Sequence, residues 1–190
     1  MIGFPDVLFQ LPAWVSDVCR PGGRFPTMHD RMGLAIELAR KNVAAGTGGP
    51  FGAAVFDVQN GTLIAPGVNL VTVSNIAVAH AEMIAIAIAG RVLGSFDLGS
   101  GPTELVTSVE PCAMCLGTVP WSGVERLVCG ARDEDARAIG FDEGDKPGQW
   151  PEKLKARGIE VILDVRRDEA AAVLMAYTQS GGVIYNGRAS

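Results

Sequence analysis

Between Thr27 and Ala45 the apolar residues Met28, Met32, Ala35, Ile36, Leu38 and Ala39 recur close to the 3.6-residue period of a helix, and Gly46 supplies a stop. Gly48-Gly49-Pro50 reads as a turn. Two strand-like runs follow, 51–58 and 63–68, separated by Gln59-Asn60-Gly61-Thr62, where Asn-Gly is a strong hairpin signal. From Ala79 to Leu93 almost every residue is apolar, which predicts a helix buried between layers. The pattern then predicts a strand over 104–109, a helix over 112–121 with Pro111 at or just before its first turn, and a strand over 124–129. A short helix starts at 133–138, a last strand covers 159–165 and a last helix 168–177. The stretch 140–151, rich in Gly, Pro, Asp and Glu, interrupts this rhythm and reads as a long functional loop.

Strands alternating with helices imply an α/β layered sheet with helices on both faces, and the early hairpin makes the sheet mixed. Residues 1–26 contain four prolines and scattered large apolar residues (Phe4, Leu8, Phe9, Leu11, Trp14). They read as an irregular arm, packed on the body or on a neighbouring subunit, ahead of a single domain over 27–190. The alternative is a surface strap with no functional part. The first stretch has no basic start, and Pro5, Asp6, Pro12 and Asp17 interrupt it, so it is expected to be neither a signal peptide nor a membrane span.

With 48% hydrophobic and 19% charged residues, 190 residues suit one globular domain with a substantial core. A net charge of −5 argues against a nucleic-acid partner and fits a small neutral substrate. Four cysteines invite a disulfide reading, but two belong to one Cys-x-x-Cys motif, Cys129 lies in an apolar run and Cys19 stands alone. Reduced thiols in a cytoplasmic protein are the better expectation.

The candidate chemistry lies in His80-Ala81-Glu82 and Pro111-Cys112-Ala113-Met114-Cys115. One imidazole and two thiolates form a three-ligand zinc set, leaving the fourth tetrahedral position to a water or hydroxide, the mark of catalytic zinc. Cys112 and Cys115 share one helix face and sit in its first turn, where free amides and the dipole stabilise thiolates. Two alternatives stay open. Cys19, Cys129 or His29 could complete a closed structural site, or His80 could be a core histidine and the Cys-x-x-Cys a redox pair; the upstream His-Ala-Glu weighs against the latter. Glu82 is flanked by Ala81 and by the apolar run Met83 to Ile88. A charge there is costly unless it has a task, and an apolar setting raises its pKa toward that of a proton carrier.

With these residues in hand, the chain resembles the cytidine deaminase superfamily of zinc-dependent nucleobase deaminases, and within it the bacterial guanine deaminases. The resemblance covers most of 27–190. It rests on Gly48-Gly49-Pro50-Phe51-Gly52, Asn69, Ala79-His80-Ala81-Glu82, the run from Thr107 to Cys115, and Gly140-Phe141-Asp142-Glu143. It implies a three-layer α/β/α fold around a mixed five-stranded sheet, one Zn2+ per chain, a homodimer with sites near the interface, and hydrolytic deamination of a free base, guanine to xanthine plus ammonia. Carried over residue by residue, Asn69 would hold the base by its amide, the Ala81 N–H would meet a ring carbonyl, Phe51 would stack, Trp121 would wall the pocket and Glu143 would assist proton movement. Where some relatives close the site with a swapped tail ending in an aromatic residue, the tail here, residues 181–190, ends in small residues, with Tyr185 as a substitute. The rival readings are deamination of 8-oxoguanine, isocytosine or ammeline, a tRNA adenosine deaminase, and a zinc-stabilised module without catalysis.

Overall fold

The computed structural model describes residues 3–187. Along the chain it contains α1 (Val15–Val18), α2 (Met28–Ala44), β1 (Gly52–Asp57), β2 (Thr62–Val68), α3 (Val71–Ser74), α4 (Ala81–Leu93), β3 (Thr103–Val109), α5 (Ala113–Ser122), β4 (Arg126–Ala131), α6 (Asp133–Ala138), α7 (Trp150–Lys155), β5 (Glu160–Ile162) and α8 (Arg167–Gln179). Helix α2 starts on a capping box: the Asp30 amide donates to the Thr27 hydroxyl at 3.1 Å, and the Thr27 amide donates to the Asp30 carboxylate at 3.0 Å.

The five strands lie in the order β2-β1-β3-β4-β5. The hairpin β1–β2 and the pair β1–β3 are antiparallel, whereas β3–β4 and β4–β5 are parallel. The sheet is therefore mixed, and helices cover both of its faces. Along β1 the side chains alternate: Ala54 and Phe56 enter the core built with α2 and α8, while Ala53 and Val55 enter the one built with α4 and α5. Every residue of the central strand β3 is buried. Gly52 faces α2, whose Ala35 carbonyl occupies the space a Cβ would need, and Gly67 meets the Ala81 carbonyl of α4 in the same way. These two glycines let a helix close on each face of the hairpin.

The arm packs on the body from Phe9 onward, while residues 3–8 are exposed. Val15 and Cys19 belong to the main core, and Trp14 donates its indole N–H to Thr47 at 3.1 Å. Gly22, Gly23 and Phe25 exchange backbone hydrogen bonds with Gly61 and Leu63, covering the open edge of β2.

Three differences from the sequence pattern have local causes. The last strand is paired only over Glu160–Ile162, because β5 is an edge strand that meets β4 at Arg126–Val128. Asp164 and Arg166 then take left-handed backbone and turn the chain into α8. The stretch 140–151 is extended at first but ends in α7, whose Pro151 suits a helix start despite the loop-like composition. The single-turn helices α1 and α3 are too short for periodicity to reveal.

Candidate metal centre and active site

Two helix starts meet beyond the carboxyl end of β3. His80 is the N-cap of α4 and Cys112 the N-cap of α5, both in extended backbone. The Nδ1 atom of His80 lies 3.6 Å from the Cys112 Sγ, and the donor atoms of His80, Cys112 and Cys115 all fall within 4.8 Å of one another. A tetrahedral zinc with bonds of about 2.0 Å to nitrogen and 2.3 Å to sulfur sets its ligands roughly 3.5–3.8 Å apart, so the group fits that ion. Among the described residues it contains no fourth cysteine or histidine: Cys19, Cys129 and His29 all lie outside it. All four cysteines are free.

The electrostatics of the bare group also call for a cation. The Cys112 thiol is brought down to about 4 by its hydrogen bond with Cys115 and, against the pull of burial, by His80. Cys115, bonded to that thiolate and buried, is pushed far up. Burial draws the His80 imidazole down, but the Cys112 bond and the charges of Glu82 and Cys112 outweigh it and hold its pKa above the ordinary value. Burial raises Glu82, and the Cys112 charge raises it further. Glu143 is pushed up to about 8 by burial, then by the same thiolate. Two thiols and two carboxyls thus share one imidazole, and burial and mutual repulsion keep most of them protonated until a divalent ion among them favours their ionised forms.

The group opens on a cavity of about 360 Å³, the size of a small-molecule site, lined by Phe51, Val71, His80, Glu82, Glu110, Cys112, Phe141, Glu143 and Tyr185, among others. Phe51 lies edge-on to Phe141 with centroids 5.0 Å apart. Asn69 is buried just behind this wall. Its amide oxygen accepts from the Val71 N–H at 3.2 Å, and its NH2 has no partner, an orphaned donor of the kind a ligand carbonyl would satisfy. Ala81 is the first residue of α4, so its N–H has no acceptor within the helix.

Trp121 does not wall this cavity. It is 86% exposed and stands beside Pro147 and Trp150 on another part of the surface. It lies six positions beyond Cys115, about 9 Å along the axis, so α5 carries it away from the ligand turn.

Other residues reach the site from far along the chain. The Tyr185 ring packs on Phe141 at 5.1 Å, and its hydroxyl is buried without a hydrogen-bond partner. The Asn186 side chain grips the loop of Glu143 from both sides, donating to the Gly140 carbonyl and accepting from the Asp142 amide, each at 2.9 Å. Residues 188–190, the end of the tail read from the sequence, lie outside the described residues. The glycines of the 48–52 motif have steric reasons: a Cβ at Gly48 would strike the Asn69 carbonyl, and one at Gly49 the Tyr185 hydroxyl.

A three-layer α/β/α fold with this donor group at two facing helix starts, and a buried glutamate beside it, defines a class, the zinc-dependent hydrolytic deaminases. Residues 27–131 match the cytidine and deoxycytidylate deaminase zinc-binding region, and the chain belongs to that family. It is 44% identical over 121 residues to the guanine deaminase of Bacillus subtilis (strain 168), across 60% of this chain and 75% of that protein. The solved structure of the guanine deaminase from Nitrosomonas europaea superposes with a TM-score of 0.88 at 44% identity, covering 93% of this chain and 99% of the other. The tRNA-specific adenosine deaminase of Bacillus subtilis (strain 168) is 36% identical over 143 residues, 75% of this chain and 83% of its own length. No helix among the described residues is long and apolar enough to cross a membrane.

Proposed function

We propose that this chain deaminates guanine hydrolytically to xanthine, with release of ammonia. The observation that carries the reading is the joint presence, in one cavity, of the His80–Cys112–Cys115 side, the two carboxyls of Glu82 and Glu143, and an aromatic wall of Phe51, Phe141 and Tyr185. His80, Cys112 and Cys115 would hold the zinc. When bound there, zinc supplies a Lewis acid that brings the pKa of water toward neutrality.

The chain's own residues do the rest. Phe51 packs against the purine face, the free NH2 of Asn69 donates to a ring acceptor, and the Ala81 N–H meets the ring carbonyl. Glu82 takes a proton from the attacking water, whose oxygen bonds to the ring carbon bearing the exocyclic amine. The same carboxyl then delivers that proton to the adjacent ring nitrogen. Glu143, which burial keeps protonated near neutrality, donates to the departing amine as the carbon–nitrogen bond breaks, while Glu82 takes the proton of the added hydroxyl as it becomes the new carbonyl; exchange with solvent then returns that proton to Glu143. Water enters and ammonia leaves, with no change in oxidation state.

A free base is the favoured substrate over a polynucleotide, because the chain is acidic and Tyr185 and Asn186 lie across the cavity. The exposed Trp121, beside Pro120, Pro147 and Trp150, is an apolar surface that supports a homodimer. Four free thiols fit a cytoplasmic setting without nucleic acid or membrane partners. In this reading residues 1–26 are a strap of the catalytic domain 27–190.

Ammonia release from guanine, 8-oxoguanine, isocytosine, ammeline, cytosine, cytidine and adenine by the zinc-loaded protein tests the proposal. Fast turnover of guanine is expected. Silence on guanine with turnover of the fragment analogues would keep the mechanism and change the substrate.

A further inference from the structure

The loop that carries Glu143 runs on through Gly144 and Asp145 to Lys146, a cation in an otherwise acidic stretch. Lys146 is nearly buried, which is rare for lysine, and its ammonium reaches acceptors on separate segments. It donates to the Pro111 carbonyl at 3.0 Å, lies 2.5 Å from the Asp133 carboxylate at the start of α6, and lies 3.7 Å from the Glu110 carboxylate. An ammonium has three donors and no acceptor; two of them serve Pro111 and Asp133, and Glu110 stands at ion-pair distance. Pro111 immediately precedes Cys112, and Glu110 is buried and lines the cavity. On the same turn the Ala113 amide donates to the Glu143 carbonyl at 2.9 Å. Gly144, in left-handed backbone, comes so close to Ala113 that a Cβ there would sit 2.9 Å from the alanine's own. Loop and turn thus touch at Glu143, at Gly144 and at Lys146.

We propose that Lys146 is a positioning residue of the reaction: by bonding Pro111 and Asp133, beside the Glu110 carboxylate, it fixes the loop bearing Glu143 against the turn bearing Cys112. The inference rests on the deaminase reading above, since the separation it sets matters only if Glu143 acts at the site Cys112 helps to build. Neither neighbouring contact replaces it. The Ala113 bond is a single backbone link and Gly144 contributes only close packing; Arg137 of α6, which donates to the Gly144 carbonyl at 2.6 Å, and Asn186 hold the loop without reaching the turn, whereas Lys146 joins both the turn and α6 to it. A displacement of an ångström at a reacting group costs about a hundredfold in rate, so such a tether is enough to govern turnover without touching substrate.

Three variants test this. Lys146→Met keeps the stem and deletes the charge, and Lys146→Arg keeps the cation. Lys146→Met/Glu110→Gln also removes the stranded carboxylate, and serves if the single variant fails to fold. Amide hydrogen exchange at Ala113 is followed with and without zinc, alongside zinc content and the kcat and KM for guanine. In the Met variants Ala113 is expected to exchange roughly tenfold faster or more, with zinc content retained. Their kcat should fall by about a hundredfold while KM moves by less than about threefold, and Arg should recover much of both losses. Wild-type exchange together with wild-type kcat in the Met variants would overturn the proposal. So would an equal loss of zinc and of kcat, which would make Lys146 a support of the metal turn alone. If the native protein does not turn over guanine, the functional reading fails on its own, and the exchange at Ala113 still decides whether Lys146 tethers the loop.

Discussion

The carbonyl of Glu143 accepts a hydrogen bond from the amide of Ala113 at 2.9 Å, so the loop with the second acid is stitched to the residue that follows Cys112. Ala113 opens α5, a position whose amide finds no acceptor inside its own helix. One bond therefore satisfies a helix start and brings a carboxyl to the donor group. Glu82 arrives differently, two residues after His80 in the first turn of α4. The two acids enter the same cavity from independent segments, and each can be removed without moving the other.

Glutamine keeps the shape of Glu82 and cannot carry its proton. Glu82→Gln is expected to bind one zinc per chain and to lose about a thousandfold in kcat, in the range of general acid–base effects. Metal analysis together with steady-state turnover checks this. Wild-type kcat in the variant would remove Glu82 from the mechanism. Stripping zinc from the native protein with a chelator should abolish turnover, and added zinc should restore it.

The pKa of Glu143 gives the metal-free protein a pH dependence of definite sign. Burial, then the Cys112 charge, lift its carboxyl from an ordinary 4.5 to about 8. Between those values the folded chain holds a proton that the unfolded chain has released, so stability falls as pH rises through the window. Below it both states are protonated, and above it the whole penalty is present. After zinc is removed, the Tm of the wild type should fall more steeply than that of Glu143→Gln between about pH 5 and pH 9. Parallel curves would show that Glu143 does not titrate in this window.

How much of this is legible in the sequence depends on how local each feature is. His80, Glu82, Cys112 and Cys115 sit in short motifs at helix starts, where residue type and spacing already define a donor set, and the structure brings the three donors together. The hairpin and the alternation of strands with helices are enough for a mixed layered sheet, as found. Trp121 is the instructive case: the resemblance puts it at the pocket, whereas in the single chain the length of α5 carries it to the surface, away from the cavity. Lys146 and Asn42 bond to residues 35 and 27 positions away, and no local pattern marks such partners. A lone lysine in an acidic loop and an asparagine near the end of an amphipathic helix are the only hints.

Asn42 is a clamp that turnover should feel. Fully buried on α2, it donates to the carbonyls of Gly49 at 2.9 Å and Asn69 at 2.8 Å, and accepts from the Thr47 hydroxyl at 2.8 Å. Asn42→Ala leaves these two carbonyls without that donor and is expected to cost about 1–3 kcal/mol of stability, seen as a lower Tm. The turn before Phe51 and the backbone of Asn69 would loosen together, so KM for the base should rise more than kcat falls. An unchanged Tm would show that the clamp carries no load.

Tyr185 separates a packing role from a binding one. Its ring is held by Phe141, whereas its buried hydroxyl has no hydrogen-bond partner among the described residues. An unpaired buried hydroxyl costs the free protein stability, so Tyr185→Phe should leave Tm unchanged or raise it slightly. If a bound base supplies the missing partner, the same substitution removes a bond made only in the complex. KM is then expected to rise about five- to tenfold, the equivalent of roughly 1 kcal/mol. A Gly49→Ala variant provides the steric counterpart, because the added methyl collides with that hydroxyl and must displace the tail. It should raise KM in the wild-type background and less in Tyr185→Phe, where the colliding oxygen is gone and only ring carbons at 2.8 and 2.9 Å must shift. Equal penalties in the two backgrounds would place the effect of Gly49 in its own turn rather than at the tail, and an unchanged KM in Tyr185→Phe would leave the tyrosine as packing alone.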